Sequence, residues 1–193
     1  MSIDNVITFT GHMLDRPGRA TPRFPESLAG FAEQDIYDWL QDKGHVLGIS
    51  SLADGGDILF AENVLRRDGA MEIWLPFCLS HFAIESIQEH WYQRALNILH
   101  HPRTVILGNV NTDRPEDADI RNASYAWVNE RMSEEAKKLG VLLGVKPWLL
   151  ALYKYSEAGA LTGGTKDAIE QWNAQHDDHP TGIIPVRSEV TTA

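Results

Sequence analysis

The residues best suited to bind an anion lie in a short basic segment that follows an apolar run. Arg16, Arg19 and Arg23 fall within the sixteen residues FTGHMLDRPGRATPRF, at positions 9–24. Guanidinium groups form charge-assisted, often paired hydrogen bonds with carboxylates and phosphates. The prolines and glycines of the segment favour a loop over a helix. The segment therefore predicts an anion-binding loop, with the alternative that the arginines only solvate a surface loop.

Two glycine-bearing stretches offer main-chain amides to the same kind of ligand. They are SSLADGGD at 50–57 and GALTGGT at 159–165, and each leads into a helical pattern. Glycines allow a ligand to approach the backbone closely, and a helix N-terminus directs free N–H groups toward an anion. Asp57 is suited to cap the first of these helices. Neither stretch has the spacing of a known dinucleotide or P-loop fingerprint, and the first could equally be a tight turn.

Other groups with chemical potential are more weakly supported. The HDDH run at 176–179 has metal-binding side chains but lies in a polar tail without rigid presentation. Cys78 is interpreted as a small buried hydrophobic residue rather than a nucleophile. His81 and Glu85 share a helix face at one-turn spacing, which a surface pair explains equally well. We predict no metal and no cofactor.

The elements that must position these residues alternate between strands and helices. Apolar runs predict strands at 6–9, 46–49, 71–75, 104–107 and 148–153, with a possible edge strand at 183–186. Helical periodicity predicts helices at about 25–40, 58–65, 84–98, 123–140 and 165–172. This alternation predicts an α/β, three-layer Rossmann-like fold, with a mostly parallel sheet flanked by helices on both faces. Residues 1–180 are expected to form one nucleotide-binding domain, followed by an edge strand and a polar C-terminal tail at 181–193.

Composition sets limits on partners and compartment. The chain has 193 residues, of which 43% are hydrophobic and 23% charged, an ordinary balance for one globular domain. A net charge of −10 disfavours general affinity for nucleic acid or anionic membranes, so we expect neither as a partner. The single cysteine excludes an internal disulfide and fits a reducing compartment. No leader peptide is evident in residues 1–20, and we expect a cytoplasmic protein.

Three stretches taken together resemble the SLOG superfamily. They are residues 9–25, 49–77 and 159–172, and the resemblance extends over most of residues 5–175. The similarity is to modules attached to tetratricopeptide-repeat and nucleotide-cyclase proteins, within a superfamily related to lonely-guy phosphoribohydrolases and DNA-processing protein A. The resemblance implies a parallel sheet that binds a nucleotide-like small molecule, and a possible homodimer that pairs through helices. With the arginine loop added, the predicted ligand-binding residues are Gly11, His12, Arg16, Arg19, Arg23, Ser50, Ser51, Gly55, Gly56, Asp57, Gly163, Gly164, Thr165 and Asp167.

One departure from the phosphoribohydrolase pattern favours binding over turnover. In those enzymes a glutamate central to catalysis follows the glycine-threonine segment by three positions, where this chain has Ala168. Asp167 is one residue off, which on a helix rotates its carboxylate by about 100°. We therefore expect a nucleotide sensor or accessory domain. The first alternative is an N-glycoside hydrolase acting on a nucleoside 5′-monophosphate, with Asp167 or Glu62 as catalytic candidates. The second is a protein-interaction module that has kept the fold and lost the pocket.

Overall fold

The computed structural model describes residues 2–154, 164–175 and 178–187, whose strands form one six-stranded sheet. The strands are β1 (Asn5–Gly11), β2 (Val46–Ser50), β3 (Ala70–Leu75), β4 (Thr104–Gly108), β5 (Trp148–Tyr153) and β6 (Thr181–Pro185). Their order across the sheet is β4-β3-β2-β1-β5-β6, and every neighbouring pair is parallel. The predicted edge strand is present as β6, which pairs with β5.

Six α-helices connect and cover these strands in the described parts of the chain. They are α1 (Ala29–Leu40), α2 (Gly56–Arg66), α3 (Leu79–Ser86), α4 (Tyr92–Leu99), α5 (Ala118–Leu143) and α6 (Thr165–Gln175). Short 3-10 turns precede α1, at Glu26–Leu28, and α4, at Glu89–Trp91. None of the helices described combines the length and the apolar character needed to cross a bilayer.

Two hydrophobic cores, one on each face of the sheet, make the architecture three-layered. Because side chains alternate along a strand, neighbouring residues of β1 enter different cores. Ile7 lies in the larger core, which contains buried residues of α1, α2 and α4. Val6 lies in the smaller core, with Val128 of α5 and Trp172 of α6. The predicted α/β, Rossmann-like fold with helices on both faces is confirmed.

The single helix predicted across residues 84–98 is wrong, because the chain breaks there into α3 and α4. Ile87 ends α3 in an extended conformation, with φ −132° and ψ 121°. Asp54, in the loop between β2 and α2, binds the chain on both sides of this break. Its Oδ2 accepts a hydrogen bond from the Gln88 amide at 2.8 Å, and its own amide donates to the Ser86 carbonyl at 2.8 Å. A buried carboxylate of another loop therefore interrupts a segment whose own periodicity is helical.

The strand order places a topological switch point between β1 and β5. From β1 the chain continues through β2, β3 and β4 toward one edge, whereas β5 pairs with the other side of β1 and leads to β6. The loops that leave β1 and β5 at their carboxyl ends therefore diverge. In open α/β sheets such a divergence creates the crevice in which ligands bind.

Candidate functional site

A cavity of about 450 Å³ opens at the carboxyl end of β1, next to this switch point. The volume lies in the range of small-molecule sites. The loop after β1, the β2–α2 loop, α3, α5 and the start of α6 all contribute to its wall. The predicted site residues that line it are Gly11, His12, Arg16, Arg19, Arg23, Ser51, Asp57, Gly164 and Thr165. Residues from the first glycine-bearing stretch and the last two residues of the second thus lie at one cavity, although they are more than 100 residues apart in the sequence.

The other predicted residues that the structure describes do not line this cavity. Ser50 is fully buried and donates its hydroxyl to the Ser51 carbonyl at 2.8 Å. Asp167 accepts a hydrogen bond from Gln171 at 2.8 Å, and Glu62 forms a two-bond ion pair with Arg94. Gly163 lies outside the described residues, as does the pair at 176–177 of the HDDH run.

Gly55 and Gly56 allow close packing of this loop, and neither lines the cavity. The Gly56 amide donates to the His12 carbonyl at 3.1 Å, so it is already occupied. A Cβ on Gly56 would stand 2.9 Å from the Cα of Gly11, and Gly55 has a φ of +89°. These glycines allow the end of β1 to meet the start of α2 at backbone contact. The part of this loop that faces the cavity is formed by Ser51, Ala53 and Asp57.

Two of the three arginines hold the loop after β1 in place. Arg16 donates to the Glu85 carbonyl at 2.8 Å and stands 3.5 Å from the Asp54 carboxylate. Arg19 pairs with Asp15 at 3.2 Å. Their charges contribute to the cavity wall, but protein groups already take part of their hydrogen-bonding capacity.

Arg23 is the arginine that remains available to a ligand. Its amide is fixed by Asp15 Oδ2 at 2.8 Å, which positions the residue. In the described parts of the chain its guanidinium, half-buried on the cavity wall, has neither a hydrogen-bond nor an ion-pair partner. A cation held at the wall in this way can neutralise an anionic ligand.

The N-terminus of α6 faces the same cavity through Gly164 and Thr165. The Gly164 carbonyl accepts the Ala168 amide at 3.0 Å, so the helix begins directly at the wall. The first amides of a helix have no partner within it, and they carry about half a positive charge. Together with Arg23, this helix end gives the cavity an anion-binding character.

Two buried ionisable groups in the wall have strongly displaced pKa values. Burial raises the pKa of Asp57 to about 7; a hydrogen bond from the Ala53 amide opposes this shift and the nearby Asp54 adds to it. Burial lowers the pKa of His12 to about 4. The His12 Nε2 is buried and has no hydrogen-bond partner in the described structure. At neutral pH the cavity therefore holds an uncharged imidazole and a carboxyl group close to its midpoint of ionisation.

The far wall of the cavity was not predicted from the sequence. On α3 and α5, the Tyr125 hydroxyl lies 3.2 Å from Ser86 Oγ and 3.3 Å from the Glu85 carboxylate. Burial raises the pKa of Tyr125 to about 12. Tyr125, Val128, Asn129 and Met132 follow the i, i+3, i+4, i+7 spacing of one helix face, and all four line the cavity. Polar residues within such an apolar stripe are the signal that could have identified this wall.

Comparison with known proteins gives remote structural matches. No protein-family model matches the chain, and no curated protein matches it. A structure of DNA processing protein A from Streptococcus pneumoniae matches with a TM-score of 0.45 and 11% identity over 93% of this chain. The chain spans 58% of that protein. DNA processing protein A of Helicobacter pylori, solved for its single-stranded DNA binding mode, matches with a TM-score of 0.40 and 12% identity, covering 92% of this chain and 82% of its own. The Moco carrier protein of Chlamydomonas rheinhardtii has a TM-score of 0.31 and 12% identity, covering 93% and 88%.

These matches correct the prediction that nucleic acid is no partner. Two of them are DNA processing protein A, and one was solved for its single-stranded DNA binding mode. The prediction relied on the net charge of −10, which is a sum over the whole chain. Such a sum does not describe a local surface, and here Arg16, Arg19 and Arg23 stand together at one cavity.

Proposed function

We propose that the cavity binds a nucleotide or a nucleotide-derived anion, with its phosphate at the start of α6 beside Arg23. The observation that carries this proposal is that the Arg23 guanidinium, which has no partner among the described residues, lines the same cavity as Gly164 and Thr165. A helix N-terminus supplies directed N–H groups, and a guanidinium supplies full charge. The oxygens of a phosphate can accept hydrogen bonds from both kinds of donor.

The remaining wall suits the other parts of a nucleotide. Phe9, Phe82 and Met132 contribute apolar surface, which suits the faces of a base. Ser51 and Asn129 add groups able to hydrogen-bond with ribose hydroxyls or base edges. A cavity that is mostly apolar, with a few convergent polar groups, is the usual form of a small-molecule site.

Binding without turnover is the function that the arrangement favours. Asp167 and Glu62, the carboxylates expected to catalyse hydrolysis, are bonded to Gln171 and Arg94 and do not line the cavity. A general acid or base must come within hydrogen-bond reach of the reacting atoms. The existence of the cavity also gives no support to a module that has lost its pocket.

A thermal-shift panel tests the proposal. The arms are nucleoside mono- and diphosphates, cyclic nucleotides, ADP-ribose, inorganic phosphate and an unphosphorylated nucleoside. A ligand at 100 times its Kd adds about 2.7 kcal/mol, which for a chain of this size raises Tm by roughly 5–10 °C. We expect Arg23→Gln to abolish the shift. Arg66→Gln is the matched control, because it removes an equal charge from α2, where Arg66 pairs with Glu33 of α1. This variant should keep the shift in Tm. No shift with any phosphorylated compound would contradict the proposal.

N-glycoside hydrolysis of a nucleoside 5′-monophosphate is the second candidate, and Asp57 favours it. Asp57 lines the cavity, and a pKa of about 7 suits a carboxyl group that protonates a departing base. The corresponding test is chromatographic detection of free base with each nucleotide that binds. Release of base that Asp57→Asn abolishes would establish hydrolysis, whereas binding without release would leave the sensor function.

A further inference from the structure

Three metal-ligating side chains meet on the carboxyl side of β3 and β4, outside the cavity wall. Cys78 Sγ lies 3.3 Å from His81 Nδ1 and 4.0 Å from Asp113 Oδ1, and the last two atoms are 3.8 Å apart. All the ligand atoms lie within 4.8 Å of one another. Cys78 is half-buried, so the expectation of a small buried hydrophobic residue is corrected.

These separations match a tetrahedral zinc site closely. Zn–S bonds of about 2.3 Å and Zn–N or Zn–O bonds of about 2.0–2.2 Å, at tetrahedral angles, place the ligand atoms about 3.4–3.6 Å apart. The observed separations of 3.3, 3.8 and 4.0 Å differ from that by a few tenths of an ångström. Rotation of an exposed side chain such as Asp113 is enough to close the difference.

The surrounding backbone holds the first two ligands in place. Cys78 begins the turn before α3, and its amide donates to the Thr112 carbonyl at 2.7 Å, which joins this turn to the β4–α5 loop. The Arg114 amide donates to His81 Nδ1 at 3.3 Å. An atom that accepts from a backbone N–H presents a lone pair, so Nδ1 is in the tautomeric state that a metal requires. The metal would replace this long hydrogen bond.

The geometry points to a divalent transition-metal site of the zinc type, formed by Cys78, His81 and Asp113. A thiolate, an imidazole and a carboxylate are the ligand set that zinc prefers. Three protein ligands leave one of the four positions for water or an anion. The site is distinct from the proposed nucleotide cavity, since none of its three ligands lines that cavity.

Optical titration of the full chain with Co²⁺ tests the site directly. We expect one Co²⁺ per chain, with thiolate-to-cobalt charge-transfer absorption and the intense visible bands of tetrahedral cobalt, both displaced by Zn²⁺. Because Cys78 is the only cysteine, any thiolate band must come from it. Cys78→Ser should abolish the band, and His81→Gln or Asp113→Asn should weaken Co²⁺ binding at least about tenfold, since even loss of an outer-shell partner costs that much. His100→Gln, an exposed histidine elsewhere, is the matched control and should leave the titration unchanged.

Alkylation of Cys78 by iodoacetamide, followed by mass spectrometry, gives a second readout that does not depend on spectra. We expect stoichiometric Zn²⁺ to slow alkylation in the native chain, and this protection to be lost in His81→Gln. Alkylation that Zn²⁺ does not slow would overturn the metal site and leave a half-buried cysteine beside a histidine. Cobalt binding that persists in Cys78→Ser with unchanged affinity would overturn it as well. Circular dichroism of each variant confirms that a lost signal is not lost folding.

Discussion

Replacing Asp57 by asparagine tests whether burial raises the pKa of this cavity carboxyl group to about 7. The side chain is 7% exposed, and burial raises its pKa from 3.8 to about 7. Asparagine keeps the shape and an acceptor for the Ala53 amide, which lies 3.1 Å from the carboxylate. The substitution therefore removes mainly the free energy of ionising the group in its buried environment.

The sign of the expected effect follows from proton linkage. Between the unfolded pKa of 3.8 and the folded pKa of about 7, the folded state holds the Asp57 proton more tightly than the unfolded state. The free energy of unfolding therefore falls as the pH rises through this window. A shift of about 3 pKa units corresponds to ~4 kcal/mol in total, of which about 2.5 kcal/mol lies between pH 5 and pH 8. Because asparagine does not titrate, the free energy of unfolding of Asp57→Asn should lack this decrease.

Urea unfolding of the native chain and of Asp57→Asn, at about pH 5 and about pH 8, measures the effect. We expect the variant's advantage in unfolding free energy to grow by about 2.5 kcal/mol between these two pH values. Asp119→Asn, an exposed aspartate in the first turn of α5, provides the same chemical change away from the cavity. A difference between native chain and Asp57→Asn that is the same at both pH values would refute the reasoning, because a carboxyl group charged in both states gives no such dependence.

Three further outcomes follow from the same structure. His12→Gln should make the free energy of unfolding less sensitive to acid, because the folded pKa of His12, about 4, lies below its unfolded value of 6.5. Between about pH 7.5 and pH 4.5 the native chain should lose roughly 2.5 kcal/mol more unfolding free energy than the variant. Urea unfolding at the two pH values measures this difference. Gly56→Ala should destabilise by about 1–3 kcal/mol or more, because its Cβ would meet the Gly11 backbone at 2.9 Å, and an unchanged Tm would contradict this contact. Gly30→Ala is its control, since a Cβ there meets nothing within 4 Å, and it should stabilise by about 0.5–1 kcal/mol. Gly144→Ala should cost about 1 kcal/mol by calorimetry, because a φ of +69° disfavours any side chain even in open space.

Most of the fold follows from local patterns in the sequence. The run at 148–153 predicts β5 with the bounds that the structure has, because a short continuous apolar run between breakers is typical of a strand buried on both faces of a parallel sheet. α5 begins at Ala118, before the predicted start at about 123, and the Asp117 carboxylate caps it by accepting hydrogen bonds of 2.9 and 3.0 Å from the amides of residues 119 and 120. The helical periodicity of residues 84–98 does not predict the break between α3 and α4, for a different reason. It depends on Asp54, a residue more than 30 positions away, and no local pattern reports such a contact.

The site shows the same division between local and distant causes. The sequence identifies the loops, since a basic loop and glycine-bearing helix starts are recognised by composition, and residues of these loops that the structure describes line one cavity. It does not assign the individual roles within them. Among the described residues Arg16 has partners and Arg23 has none, because Asp54 and Glu85 lie beside Arg16. Gly56 is required by the approach of Gly11, which lies 45 residues earlier in the chain. Partners of this kind are decided by tertiary packing alone.

The most direct test of the central claim is a crystal structure of the chain with a nucleoside 5′-monophosphate. The account predicts the phosphate at the first turn of α6, within hydrogen-bond distance of the amides that follow Gly164 and of the Arg23 guanidinium. It also predicts the base against the wall formed by Phe82 and Met132. A phosphate bound away from α6, or a cavity that stays free of nucleotide at saturating concentration, would contradict the account.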